Sequence, residues 1–245
     1  MTSPQQRDEF TRRGLLRLPG GIPAVAVAEM RDRFWAFLSA QHGMIPGRAE
    51  TWTSERPRRL QALRRSGAFA PMASAQVIGA LDNLLGTGGW RQPKAWGLPL
   101  VTFPATEATW RVPTSGWHVD SYGPEHDLPG VTVFAFLVPV AARGGGTAVL
   151  EGSHRLVNRH IATTGTWRPA DIRAALATTH PWLREVWEGG RGPGDEAVLD
   201  GVRVAVRELT GEPGDVVLMH PRTLHTAAPN AGSSPRMMLV EIINR

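Results

Sequence analysis

The sequence predicts a mainly β domain, a sandwich or barrel, with helices flanking it. Three observations lead there. From Leu98 onward, short β-prone runs are separated by Gly, Pro, Asn and Ser, the punctuation of an all-β fold. Val202, Val204 and Val206 alternate with Arg203, Ala205 and Arg207, as in a strand with one wet face. Before Leu98 the apolar residues recur at helical spacing instead.

Val27, Met30, Phe34, Phe37, Leu38 and Gln41 share one helical face, with Gly43 as the stop. A second helix is expected from near Pro71 to Gly86, burying Val77, Ile78, Leu81, Leu84 and Leu85. Strands are expected at 100–103, 109–112, 131–138, 147–150, 202–209, 215–219 and 237–243. Between His160 and Gly201 the β pattern breaks, and 169–178 and 181–187 read as helices. No repeat or linker divides the 245 residues, a length that one β domain reaches alone. The expectation is a single domain, 1–245, with N-terminal helices at about 24–86, a β core at about 98–243 and a lid-like insertion at about 156–201.

The composition narrows function. At 42% hydrophobic and 20% charged residues, the chain buries a core and is not a disordered polymer. It has no apolar run long enough to span a bilayer and no apolar leader at its start, so no membrane partner and a cytoplasmic location are expected. With no cysteine there is no disulfide, thiolate metal site or cysteine nucleophile. The net charge of +5 comes almost wholly from arginine, Lys94 being the only lysine. These arginines are dispersed, and the densest run, 56–65, alternates with apolar residues as a solvated helix face would. The expected partner is a small-molecule substrate, not nucleic acid, and the expected state a monomer or homodimer.

The chemistry centres on His118-Val119-Asp120. On an extended strand, positions i and i+2 face the same way, so imidazole and carboxylate converge while Val119 turns away. His225, lying 105 residues beyond Asp120, supplies a third donor once the fold brings it across. Two nitrogens and one oxygen on one side of an ion leave the opposite positions open, the arrangement of non-haem Fe(II) oxygenases. His225 ends a Gly/Pro turn, buried strand and second turn that begin at Gly211, and Arg236 opens the strand after it. An arginine there suits a bidentate grip on a carboxylate. His220 and His154 read as structural, and the run Gly144 to Gly146 as a hairpin turn. Of the nine tryptophans, Trp117 lies beside the ligands, as does Tyr122, the only tyrosine. Both are expected in a substrate pocket wall, with His126 facing substrate.

These residues resemble the phytanoyl-CoA dioxygenase family of Fe(II)/2-oxoglutarate-dependent oxygenases. The matching blocks are Gly116 to Asp120, Gly144 to Thr147 leading into Glu151-Gly152-Ser153-His154-Arg155, and Pro213-Gly214-Asp215 through His225 to Arg236. The resemblance implies a double-stranded β-helix (jelly roll, cupin-like), with Fe(II), 2-oxoglutarate and O2 as cofactors. It implies that His118, Asp120 and His225 hold iron and that Arg236 binds the distal carboxylate of 2-oxoglutarate. Many relatives carry a serine two residues after the third ligand. Ala227 stands there, leaving Thr147 or Thr226 to substitute. Asp120 itself argues against halogenation, in which a small residue replaces that ligand. Ile242 stands where the nucleic-acid demethylating branch carries a second arginine. The implied activity is hydroxylation of an unactivated carbon of a small molecule, with a secondary-metabolite scaffold expected as the substrate. Desaturation, cyclisation or epimerisation with the same cofactors is the first alternative, and a cupin-type isomerase or small-ligand binding protein the second.

Overall fold

A computed structural model describes residues 3–52, 57–105, 109–121, 126–166 and 168–245. Tyr122, Arg56 and Trp167 therefore lie outside the described residues. Two antiparallel sheets form the centre. The first contains β1 (Leu15–Leu18), β2 (Leu98–Thr102), β3 (Gly130–Phe136), β7 (Val216–Met219) and β9 (Arg236–Asn244), in the order β1-β7-β3-β9-β2. The second contains β4 (Thr147–Glu151), β5 (Glu196–Leu199), β6 (Val202–Glu208) and β8 (His225–Ala227), in the order β5-β6-β4-β8.

Among the described residues, seven α-helices cover the outer faces. The first four are α1 (Pro4–Arg13), α2 (Ala24–His42), α3 (Leu60–Arg65) and α4 (Ala75–Leu85), and the insertion adds α5 (Ser153–Thr164), α6 (Pro169–Thr179) and α7 (Pro181–Trp187). The side-chain period of two sorts each strand into two faces. On β3, Val131, Val133 and Ala135 pack outward with Met30, Phe34 and Leu81 of α2 and α4. Phe134 and Phe136 turn inward and meet Val149, Val217 and Met238 between the sheets. Ala148, Leu150, Val202, Val204 and Val206 leave the second sheet on its other side, under Leu156, Ile172, Leu183 and Trp187 of α5–α7. The central strands β3, β4 and β7 are thus covered on two sides, which explains their unbroken burial.

Several elements differ from the sequence expectation. Residues 109–112 form no strand. Trp110 is instead fixed through its indole N–H, which donates to Glu208 Oε1 at 3.0 Å. The second helix begins at Ala75 rather than near Pro71, because the Ser74 hydroxyl accepts from the Val77 N–H as an N-cap. The Gly144 to Gly146 run is not a hairpin turn, since β3 and β4 belong to different sheets. It carries the chain between them at close quarters: a side chain on Gly146 would place its Cβ 2.1 Å from the Leu209 carbonyl oxygen. Helix α5 starts directly after Gly152.

Candidate metal centre

β8 lies at the edge of the second sheet, and His118 extends that sheet by a bridge in which His118 and His225 exchange backbone hydrogen bonds of 3.0 Å. Partners in such a bridge project to the same side, so the two rings stand 4.2 Å apart, centroid to centroid. Two residues on, the Asp120 N–H donates to the Pro221 carbonyl at 2.7 Å and holds the strand-like path. The carboxylate then faces both rings: Oδ1 lies 3.8 Å from His118 Nε2, and Oδ2 lies 3.5 Å from His225 Nε2. All three ligand atoms fall within 4.8 Å of one another.

The backbone fixes which nitrogen each ring presents. His118 Nδ1 donates to the Gly116 carbonyl at 2.8 Å, and His225 Nδ1 to the Thr223 carbonyl at 2.9 Å. With Nδ1 carrying the proton, Nε2 keeps its lone pair and points at Asp120. Burial holds the His225 pKa below its usual value, partly offset by the Asp120 charge, so the ring is in the neutral form that a metal requires. Asp120 is oriented in turn by Thr132 on the inner face of β3, whose hydroxyl donates to Oδ2 at 2.7 Å. That bond joins the two sheets at the centre. His118 keeps 47% of its side chain exposed, against 6% for His225, so the centre opens on the His118 side. This donor set fits a hard or borderline divalent ion: two neutral imidazoles, one carboxylate and no thiolate.

Arg236 is buried rather than ion-paired on the surface. Its strand, β9, lies in the sheet that faces β8, not beside it. The guanidinium shares its strand face with Met238 of the inter-sheet core, 3.8 Å from that sulfur, and donates to Thr102 Oγ1 at 2.9 Å. Thr147 is buried opposite Ala227, two positions from the Val149–His225 pair, and so shares their inner face.

Two expected residues lie elsewhere. Trp117 is not beside the open side of the centre; it packs with Val119, Leu224 and Ile172 on the outer face, and its indole donates to the Pro113 carbonyl at 2.6 Å. Thr226 also points to that face, between Leu224 and Ala228, and donates to the Ser115 carbonyl at 3.1 Å. In both cases the alternation that gathers the ligands sends their neighbours the opposite way. His126 is exposed in the connection before β3. Two contributors escaped the sequence reading. Thr132 was hidden in an apolar strand, although it shares the face of Phe134 and Phe136. Arg173 of α6 reaches the crevice lined by Trp117, His118 and Leu224, its guanidinium carbon 5.7 Å from the Trp187 ring centroid.

Fold and site together define a two-sheet β protein carrying a two-imidazole, one-carboxylate centre at the edge of its second sheet. The sequence model of the phytanoyl-CoA dioxygenase (PhyH) family matches residues 10–238, and the chain belongs to that family. A search of curated proteins found no match. Among solved structures, the chain is similar to the epimerase SnoN in complex with Fe3+, alpha ketoglutarate and nogalamycin RO, at 17% identity and a TM-score of 0.55, covering 98% of this chain and 82% of that one. It is similar to the alpha ketoglutarate dependent carbocyclase SnoK from nogalamycin biosynthesis, at 18% identity and a TM-score of 0.57, covering 98% and 84%. It is also similar to EvdO2 from Micromonospora carbonacea var. aurantiaca complexed with 2-oxoglutarate, at 17% identity and a TM-score of 0.54, covering 100% and 92%.

Proposed function

We propose that the protein is an Fe(II)- and 2-oxoglutarate-dependent dioxygenase that hydroxylates an unactivated carbon of a small molecule. The observation that carries this reading is the convergence of His118, Asp120 and His225, each already oriented by a backbone or hydroxyl partner. Family membership and neighbours that hold iron and 2-oxoglutarate support it. The same reading takes the sheets as a double-stranded β-helix, four strands facing four: β2-β9-β3-β7 against β6-β4-β8 extended by the His118 segment.

Bound at the centre, Fe(II) with 2-oxoglutarate and O2 supplies oxidation of a C–H bond, with succinate and carbon dioxide as co-products. The chain's own part is placement and exclusion of water. His118 and His225 offer Nε2, and their carbonyl partners stop either ring from turning. Asp120 contributes the negative charge, steadied by Thr132. Arg236, itself steadied by Thr102, grips the distal carboxylate of 2-oxoglutarate through a charge-assisted pair. Thr147 takes the supporting role that Ala227 lacks, while Thr226, facing away, has no part in it. Phe134, Val149 and Met238 keep the inter-sheet space dry. The insertion, whose Ile172 and Arg173 line the outer-face crevice together with Trp117 and His118, is taken as the substrate-selecting element.

A second outcome, epimerisation or ring closure with the same residues, is favoured by the activities of the SnoN and SnoK neighbours. Product mass separates the two: hydroxylation adds one oxygen, ring closure removes two hydrogens and epimerisation changes neither. The shared part is tested first. Anaerobic protein loaded with Fe(II) is expected to bind 2-oxoglutarate only when iron is present, then to release succinate in air with an accepted substrate. Iron-loaded protein that binds no 2-oxoglutarate would overturn the reading and leave a cupin-type isomerase or binding protein.

A further inference from the structure

We propose that a cavity away from the metal centre is a binding site for a phosphate-bearing anion. The cavity measures about 560 Å³ and lies where β6, the C-terminal end of α1 and the start of α5 meet. On β6, Val202, Val204 and Val206 are taken up under α5–α7, so Arg203, Ala205 and Arg207 turn the other way and face the cavity. α1 contributes Arg12 and Arg13 from its last turn, and α5 contributes Arg155 from its first. Ala205 and Gly201 leave the space open between these long side chains.

Five guanidiniums and one carboxylate, Glu151, line this space. Glu151 is buried across from Ala205; it accepts from Arg13 and lies 3.4 Å from Arg207 Nε, so it fixes two of the walls. Three further acids flank the cavity without lining it, Glu196 on the same sheet face as Ala205, with which it pairs. Asp8 pairs with Arg12, Glu9 with Arg13, and Glu196 with both Arg203 and Arg207. Arg155 has no carboxylate partner among the described residues. Each guanidinium carries five N–H donors, and the five guanidiniums stand against four carboxylates, so donors and positive charge remain for a ligand. A single carboxylate, with two oxygens and one charge, cannot use so many. A diphosphate-type group presents more oxygens and more charge to the same forks. The lining shares no residue with His118, Asp120, His225, Thr132 or Arg236, so the proposal is independent of the iron reading.

The probe is inorganic pyrophosphate, titrated calorimetrically into the full chain without divalent metal. Saturable one-to-one binding is expected, weakening as salt is added. Arg155→Ala and Arg203→Ala, both at exposed positions, are each expected to weaken it roughly tenfold. The double variant Arg155→Glu/Arg203→Glu is expected to abolish it, with circular dichroism and melting temperature confirming that the protein is folded. His118→Ala is expected to bind like the unaltered protein. Absence of saturable binding would overturn the proposal, as would binding untouched by the double reversal or lost in His118→Ala. Citrate binding as tightly as pyrophosphate would also overturn it, because the site would then read carboxylates.

Discussion

The rings of His118 and His225 lie 4.2 Å apart, and those of His154 and His220 lie 4.7 Å apart. Both pairs stand on the same β core, yet their nitrogens are used in opposite ways. In the first pair Nδ1 is tied to a carbonyl two residues back, and both Nε2 atoms converge on Asp120. In the second pair Nε2 is the tied atom: His154 donates to the Thr11 carbonyl at 3.0 Å and His220 to the Asp127 carbonyl at 2.8 Å. His220 Nδ1 is also occupied, accepting from the Arg222 N–H at 3.1 Å. Among the described residues, the metal-capable group of three includes only His118, Asp120 and His225. The second pair instead staples α1 and the segment before β3 to the core. Whether an imidazole pair becomes a ligand set or a strut is decided by which nitrogen the backbone takes and whether a carboxylate stands opposite.

The largest effect should come from breaking the carboxylate side of this contrast. Asp120→Ala is expected to lower Fe(II) affinity and succinate release by more than about 100-fold, beyond what loss of an outer partner costs. His220→Ala should leave both nearly unchanged and cost about 1–3 kcal/mol of stability for each buried polar partner left stranded. Full succinate release by Asp120→Ala would remove that residue from the centre.

Acid sharpens the contrast from the structural side. Burial lowers the pKa of His154 to about 4, and burial together with the neighbouring His154 lowers that of His220 to about 3, from a model-peptide value of 6.5. Below about pH 6.5 the unfolded chain therefore binds more protons than the folded one. Stability is complete above that pH and falls as pH falls toward the folded values. Between pH 7 and pH 5, urea unfolding is expected to show a loss of about 2 kcal/mol per histidine. The double variant His154→Gln/His220→Gln should lose correspondingly less over that interval. The lowered pKa of His225 acts in the same direction in both proteins and cancels in the difference. Equal losses would mean that the second pair is not held neutral by burial.

Arg236→Ala comes next. Losing a charge-assisted contact worth about 1.5–3 kcal/mol should raise the 2-oxoglutarate requirement about 10- to 100-fold while Fe(II) affinity stays unchanged. Arg236→Lys, which keeps the charge without the fork, should fall between. A 2-oxoglutarate requirement unaffected by Arg236→Ala would place the co-substrate elsewhere.

The parts of the candidate centre that were legible in sequence are those set by period-two geometry or by a local block: His118 with Asp120, then His225 from the downstream segment. Trp117 was misplaced by weighting adjacency to a ligand over the same alternation that fixed the ligands. Thr226 was misplaced for the same reason. β1, β5 and β8 are four, four and three residues long, too short to carry a pattern of their own; pairing with β7, β6 and β4 makes them strands. The helix over 4–13 did carry a readable start, Ser3 and Gln6 forming a capping box around Pro4.

Thr132 was not legible because its role depends on a contact between sheets, which no local pattern specifies. It also gives the finest test of the two histidine pairs. If backbone carbonyls alone oriented the metal centre, as they orient the second pair, Thr132→Val would be nearly silent, since valine preserves the shape and β-branching of the side chain. If the Thr132 hydroxyl holds Asp120 Oδ2 in line with His225, its loss should lower Fe(II) affinity by about tenfold, the low end for an outer partner of a ligand. Thr132→Ser should restore most of that affinity while leaving a small cavity. Affinity should therefore follow the hydroxyl across the three proteins, while thermal stability follows side-chain volume. Affinity that followed volume would reduce Thr132 to packing and leave Asp120 oriented by its own backbone.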